Sequence, residues 1–195
     1  MAIPELKRLQ ASTPRFRRFN VTEYYQMAKA GILKPDDRVE LLEGEIITMS
    51  SIGSQHAVCV RRLNKLLIGL VGDQGVVDVQ NPIHLDDFTE PQPDLTVSKP
   101  RADLYAAHHP TPADVLLVIE VADTTLRFDQ NVKTRLYAKA GIPEVWIVDI
   151  AHEQIIGYTD PSGRKYETIQ FYTRGEPVAS EKVPVVTIAV NDILG

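Results

Sequence analysis

VLLVIEVADTTLRFDQNVKTRLYAKAGIPEVWIVD, residues Val115 to Asp149, holds the pattern that decides the fold. Asp114 to Val121 is a nearly continuous apolar run, as expected of a strand covered on both faces. Arg127 to Ala140 shows helical spacing through Val132, Leu136, Tyr137 and Ala140, and Gly141 with Pro143 ends it. Glu144 to Ile150 is a second buried strand. A strand, a helix and a strand within this length form a crossover unit, which predicts parallel strands and a right-handed connection. The first strand ends in Glu120, and the helix carries Asp129, Lys133 and Tyr137 at successive four-residue steps. Such a strand end suits a metal or an acid.

Upstream, residues 1–20 lack an apolar period and read as an N-terminal arm, with one domain expected over 21–195. Val21 to Leu33 predicts a short helix with Thr22 as its N-cap and Gly31 as its stop, ending before Pro35. In RVELLEGEIITMS two apolar runs flank Glu43 and Gly44, the pattern of a hairpin whose first strand carries Glu40. Gln55 to Val71 is the first long helix, with Val58, Leu63, Leu66, Leu67 and Leu70 read as its packed stripe and Gly72 as its stop. Val76 to Gln80 reads as a strand, Pro82 to Asp86 as the start of another, and Pro93 to Ser98 as an apolar strand with a carboxylate at its start. Pro100 to Pro112 reads as a loop. After Asp149 come β segments near Ile155–Tyr158 and Tyr166–Tyr172, then the stretch VPVVTIAV. The fold class is therefore α/β, a mixed sheet flanked by helices, with an N-terminal helix and hairpin and C-terminal β decoration.

The chain has 195 residues, 44% of them apolar, enough to bury a full core. One cysteine, Cys59, excludes an intramolecular disulfide and a thiolate metal cluster. With neither a bilayer-length apolar run nor a signal-peptide pattern, no membrane partner and a cytoplasmic location are expected. The formal net charge of -5 gives no long-range attraction for nucleic acid, so contact with a polyanion must be local. Arg15, Arg17 and Arg18, then Arg61, Arg62 and Lys65, then Lys133, Arg135 and Lys139 form three basic clusters. Each cluster taken alone reads as a solvated face.

Asp94 after Pro93 on one strand, Glu120 at the end of the next, and Lys133 on the following helix form the combination that stands above background. Carboxylates on neighbouring strands can hold a hard divalent cation, which takes one or two carboxylates plus waters and phosphate oxygens. A lysine beside them can orient or deprotonate water, or neutralise charge developing on a phosphoryl group. In outline that is a phosphodiester-hydrolysing site.

The hairpin VELLEGEI, His56 opening the long helix, Pro93-Asp94, VIEVADTTLRFD and KTRLYAKAGIPEVWIVD together resemble the Uma-type family of restriction endonuclease-like proteins, a branch of the PD-(D/E)xK nuclease superfamily. The resemblance covers about Val21 to Asp149. It implies a restriction endonuclease-like core and a magnesium-dependent endonuclease acting on DNA, with manganese as a substitute metal. Carried over, the superfamily's aspartate falls on Asp94 and its acidic partner on Glu120, the two expected metal ligands. The motif's lysine position falls on Ala122, and Lys133 on the helix stands in for it.

Glu40 is a candidate additional ligand or a surface acid on a hairpin. His56 is a candidate phosphate contact, against a cap or packing role. Tyr137 can position the ammonium or a phosphate, against plain core packing. Asp123 and Asp129 read as helix-start acids complementing the macrodipole, and Trp146 as core. A homodimer is expected by analogy, because cutting two strands of a duplex calls for two sites. The competing expectation is an inactive restriction endonuclease-like binding protein, supported by Ala122 and the acidic net charge.

Overall fold

The computed structural model describes residues 17–34 and 36–195. The expected arm lies outside those residues up to position 16, as does Arg15. From Arg17 the chain runs against the hairpin, where the Phe19 N–H donates to the Gly44 carbonyl at 2.9 Å.

Helix α1 (Val21–Lys29) is capped by Asn20, not Thr22: the Asn20 side chain accepts from the Glu23 N–H, and Glu23 accepts back from the Asn20 N–H. This reciprocal pair satisfies two otherwise orphaned donors, and Asn20 competes well with Thr as a cap. No residue of α1 is buried. Two hydroxyls tie it down, Tyr24 donating to the Val39 carbonyl at 3.0 Å and Tyr25 to Glu90 Oε1 at 2.6 Å.

Strands β1 (Val39–Leu42) and β2 (Glu45–Thr48) form the expected hairpin. Glu43 and Gly44 both take positive φ, 48° and 83°, the two-residue turn whose twist matches a hairpin. A Cβ on Gly44 would lie 2.5 Å from Cβ of Arg18, so the close approach as well as the φ calls for glycine. The Glu90 N–H donates to the Leu41 carbonyl at 2.7 Å, holding β1 against the loop before β4.

The central sheet has six strands in the order β3-β4-β5-β6-β7-β8: β3 (Val76–Val79), β4 (Leu95–Ser98), β5 (Val115–Ala122), β6 (Glu144–Asp149), β7 (Gln154–Ser162) and β8 (Lys165–Thr173). Strands β5 and β6 pair in parallel, as the crossover reading requires, and every other neighbour in the sheet is antiparallel. Residues 82–86 form no strand; Asp86 makes only an isolated bridge to Thr89. VPVVTIAV splits into β10 (Thr187–Ala189), paired with β9 (Pro177–Ala179), and the start of α5 (Val190–Leu194).

Each face of the sheet carries a core. On one side, α2 (Ser54–Val71) packs Cys59, Val60, Leu63, Leu67 and Val71 near Leu117, Ile119 and Val121 of β5. Val58 and Leu70, expected on that stripe, are 37% exposed; the buried face is rotated toward Cys59 and Val60, which the apolar count had passed over. On the other side, Tyr137 and Ala138 pack with Val118 and Ala122 of β5 and Ile147 of β6. Side chains alternate along a strand, so Glu120 shares this second face with Val118 and Ala122.

The helix of the crossover is not uniform. It runs as α3 (Leu126–Phe128), a π-helical turn (Asp129–Lys133) and α4 (Thr134–Ala140), with the Thr134 N–H reaching back to the Asp129 carbonyl. Wider winding turns Asp129 and Lys133 inward and leaves Val132, expected in the packed stripe, 37% exposed.

Candidate active site

The carboxyl end of β5, the π-turn, the hairpin and the start of α2 surround a cleft of about 350 Å³. Asp94, where the chain enters β4, is held from three sides. Its Oδ2 accepts the Val121 N–H at 2.9 Å and lies 3.0 Å from His56 Nε2, and its Oδ1 accepts from Gln80 Nε2 at 3.1 Å. Burial alone would raise this carboxyl, but the His56 bond and charge, with the Val121 and Gln80 donors, hold it below the usual aspartate value.

Glu120 accepts from the Tyr137 hydroxyl at 2.6 Å, and its Oε1 lies 3.1 Å from Lys133 Nζ. Burial drives its carboxyl up to about 8 against the pull of Lys133, and Asp129, Asp94 and Glu40 add to the rise. Lys133 Nζ also reaches Glu40 Oε2 at 3.2 Å. Burial would lower the lysine, but Glu120, Glu40 and Asp129 together hold it above its ordinary range. It is therefore a persistent cation and not a proton acceptor at neutral pH. Burial and the same carboxylates raise the Tyr137 hydroxyl well above its ordinary value, so it stays a donor.

The structure thus brings together Asp94, Glu120, Lys133, Glu40, His56 and Tyr137. Ala122 is fully buried, and the ammonium reaches Glu120 from the π-turn. Two expectations change. Lys133 is not part of a solvated basic face but buried. Asp129 is not a helix-start acid complementing a macrodipole: it is buried, lines the cleft and accepts from Thr125 Oγ1 at 2.6 Å. Burial raises its carboxyl despite that bond. Its position four residues before Lys133 was the available signal. Asp123 stays exposed at the same cleft. The supporting amides Gln80 and Gln92 were not legible in the sequence, because they reach the site from loops. Gln92 donates its backbone N–H to Glu40 Oε2 at 3.1 Å.

The donor set can be tested against a metal. Glu40, Asp94, Glu120, Asp123 and Asp129 face the cleft against two permanent cations, Arg38 and Lys133. This excess of carboxyl groups over fixed cations suits a hard cation. Among the described residues no three His, Cys, Asp or Glu converge as a ready-made cage. What fits is a cation that takes one or two carboxylates and keeps waters, as magnesium does.

The sequence profile of the Uma2 family, described as "Putative restriction endonuclease", matches residues 21–191. The chain belongs to the Uma2 family. A solved structure similar to this Uma2 protein is that of "a putative nuclease belonging to DUF820" from Anabaena variabilis, with a TM-score of 0.69 at 13% sequence identity. The match covers 90% of this chain and 97% of that one, and at such identity it speaks for the fold alone. No curated protein matches the Uma2 chain significantly. Its mixed α/β fold is shared with that structure, and no helix among the described residues is long and apolar enough to cross a membrane.

Proposed function

We propose that the protein is a magnesium-dependent endonuclease that hydrolyses DNA phosphodiester bonds, with manganese as a substitute metal. The observation that carries this reading is the meeting of Lys133 Nζ with Glu120 at 3.1 Å, beside an Asp94 locked to the next strand. Asp94 and Glu120 would hold the cation, which supplies a Lewis acid for the phosphoryl oxygen and an activated water.

The protein's own groups do the rest. The Val121 N–H, Gln80 and His56 fix the Asp94 carboxylate, so that its oxygens are oriented before substrate arrives. Tyr137 fixes Glu120 in the same way. Lys133, kept charged by Glu120 and Glu40, donates to the phosphate oxygens as charge grows on them, and its charge state argues against a general-base role. Ala122 in the motif's lysine position favours an inactive binding protein; a lysine already paired with Glu120 favours activity.

The test is supercoiled plasmid incubated with magnesium or manganese, beside Asp94→Ala and Glu120→Ala variants checked for folding. Loss of nicking by about 100-fold or more in each is expected. Cleavage unchanged in both variants would sink the assignment.

A further inference from the structure

The six-stranded sheet ends on two unlike edges. Strand β3 has four residues, none of them exposed, and its Val77 and Val79 lie against the α2 core. Strand β8 has nine residues, and among the described residues no strand pairs with its outer side. An edge of that length presents a row of backbone N–H and C=O groups without a ladder partner, and folded chains blunt such edges with proline, charge or a bulge. From Thr168 to Tyr172 β8 has none of these: the residues are Thr, Ile, Gln, Phe and Tyr, and the register against β7 is continuous there. Apolar surface lies on the same stretch. Ile169 and Phe171 are 50% and 60% exposed and share one face, across from Tyr158 and Ile156 of β7. The free edge ends at Thr173, whose N–H donates to Glu176 Oε2 at 2.6 Å.

Length and charge select the occupant. The edge strands β1, β2, β3, β9 and β10 have three or four residues each, so within this chain type the matching edge for β8 is β8 of another copy. Like-on-like pairing closes as a twofold pair, whereas β8 laid on β3 would propagate as a filament. An antiparallel pair with its axis at Gln170 sets Ile169 opposite Phe171 twice, an aromatic and a β-branched side chain across from each other. Glu167 then falls opposite Thr173, beside Arg174, and no two like charges are directly opposed. Moving the axis to Ile169 or to Thr168 would instead set Glu167 against Phe171 or Ile169, so the exposed apolar pair and the lone carboxylate favour Gln170.

We infer that the outer edge of β8 docks a second copy of this chain, joining two six-stranded sheets into one across a twofold axis at Gln170. No residue of β8 lines the cleft, so the interface is separate from the cleft and its chemistry.

The experiment sediments the full chain at concentrations from about 1 to 300 μM, and a dimer that dissociates in the micromolar range is expected, because a strand-edge contact is small. Ile169→Lys and Phe171→Lys, at exposed positions where folding is not at stake, are each expected to weaken it by at least about tenfold. Under mild oxidation Gln170→Cys is expected to give a disulfide-linked dimer, since residues paired across two strands lie within roughly 5.5 Å between Cα atoms. Glu167→Cys, which the same register holds about 20 Å from its copy, is expected to give none. The native Cys59 is buried and serves as the background. A monomer throughout, a dimer that both lysine variants leave intact, or crosslinking of Glu167→Cys in place of Gln170→Cys overturns the inference. On plasmid, Phe171→Lys is expected to nick as well per chain as wild type. Absence of nicking in wild type and variant alike defeats the nuclease reading and leaves the sedimentation and crosslinking results standing.

Discussion

Glu120 carries a carboxyl that burial pushes up to about 8 from an ordinary 4.5, and this has a measurable consequence without added metal. A raised acid contributes stability that is fully present below about 4.5 and is lost as pH rises through about 8. Glu120→Gln removes the titration, so the variant is expected to gain stability relative to wild type across that window, on the order of a few kcal/mol. Urea melts of both proteins from pH 4.5 to 8.5 test this; parallel profiles would rule it out. A cation at Glu120 competes with the same proton. Magnesium affinity is therefore expected to climb by up to about tenfold per pH unit and to level off above about 8. Lys133→Met strips the ammonium from Glu40 and Glu120 together. The loss is expected to be about 100- to 1000-fold in turnover and about 3–5 kcal/mol in stability. Normal turnover in a folded variant would remove Lys133 from the mechanism. Asp94, Glu120 and Lys133 could be picked out from residue type and spacing. Asp129 offered only its four-residue spacing from Lys133, because its burial depends on helix winding that composition does not encode.

At the level of elements, apolar runs and breakers located the crossover unit well. The hairpin was equally plain, since a turn with two positive φ values at Glu43 and Gly44 needs a residue like glycine. Periodicity failed where the helix was not regular. The count through Val132 assumed 3.6 residues per turn, and the π-turn faces Lys133 inward and Val132 outward. That turn makes a prediction. Deleting Asn131, which is exposed and bonds only the Arg127 carbonyl through its side chain, should convert the segment to regular helix. Lys133 to Ala140 keep their seating on the sheet, while Asp129 rotates out and loses Thr125. A folded protein with its melting temperature little changed and its cleavage reduced about tenfold or more is expected. Full activity would show that the inward turn of Asp129 is incidental. The α2 stripe was misplaced for a simpler reason: Cys59 and Val60 were undercounted beside a row of leucines, and the sheet, not the sequence, selects which side of an apolar helix it covers.

The whole molecule sets the last terms. Cutting both strands of a duplex calls for two sites related by a twofold axis, whereas nicking one strand needs a single site. On plasmid, nicking per chain is accordingly expected to stay constant as the protein is diluted through any dimer-to-monomer transition, while the share of linear product falls. A net charge of -5 leaves long-range attraction weak, so DNA must be held by local contacts at the cleft. The salt dependence of binding then reads how many cations take part. With Arg38 and Lys133 as the cations of the lining, DNA affinity should fall with a log–log salt slope of about -1.8, taking about -0.9 for each phosphate neutralised on a duplex. If exposed α2 residues such as Arg61 and Lys65 tracked the backbone as well, the slope would be steeper by about that amount for each residue, and alanine at both would restore the shallow value. A shallow slope that Arg61→Ala and Lys65→Ala leave untouched, and that Arg38→Ala reduces by about 0.9, would place the DNA at the mouth of the cleft and not along the outer face of α2.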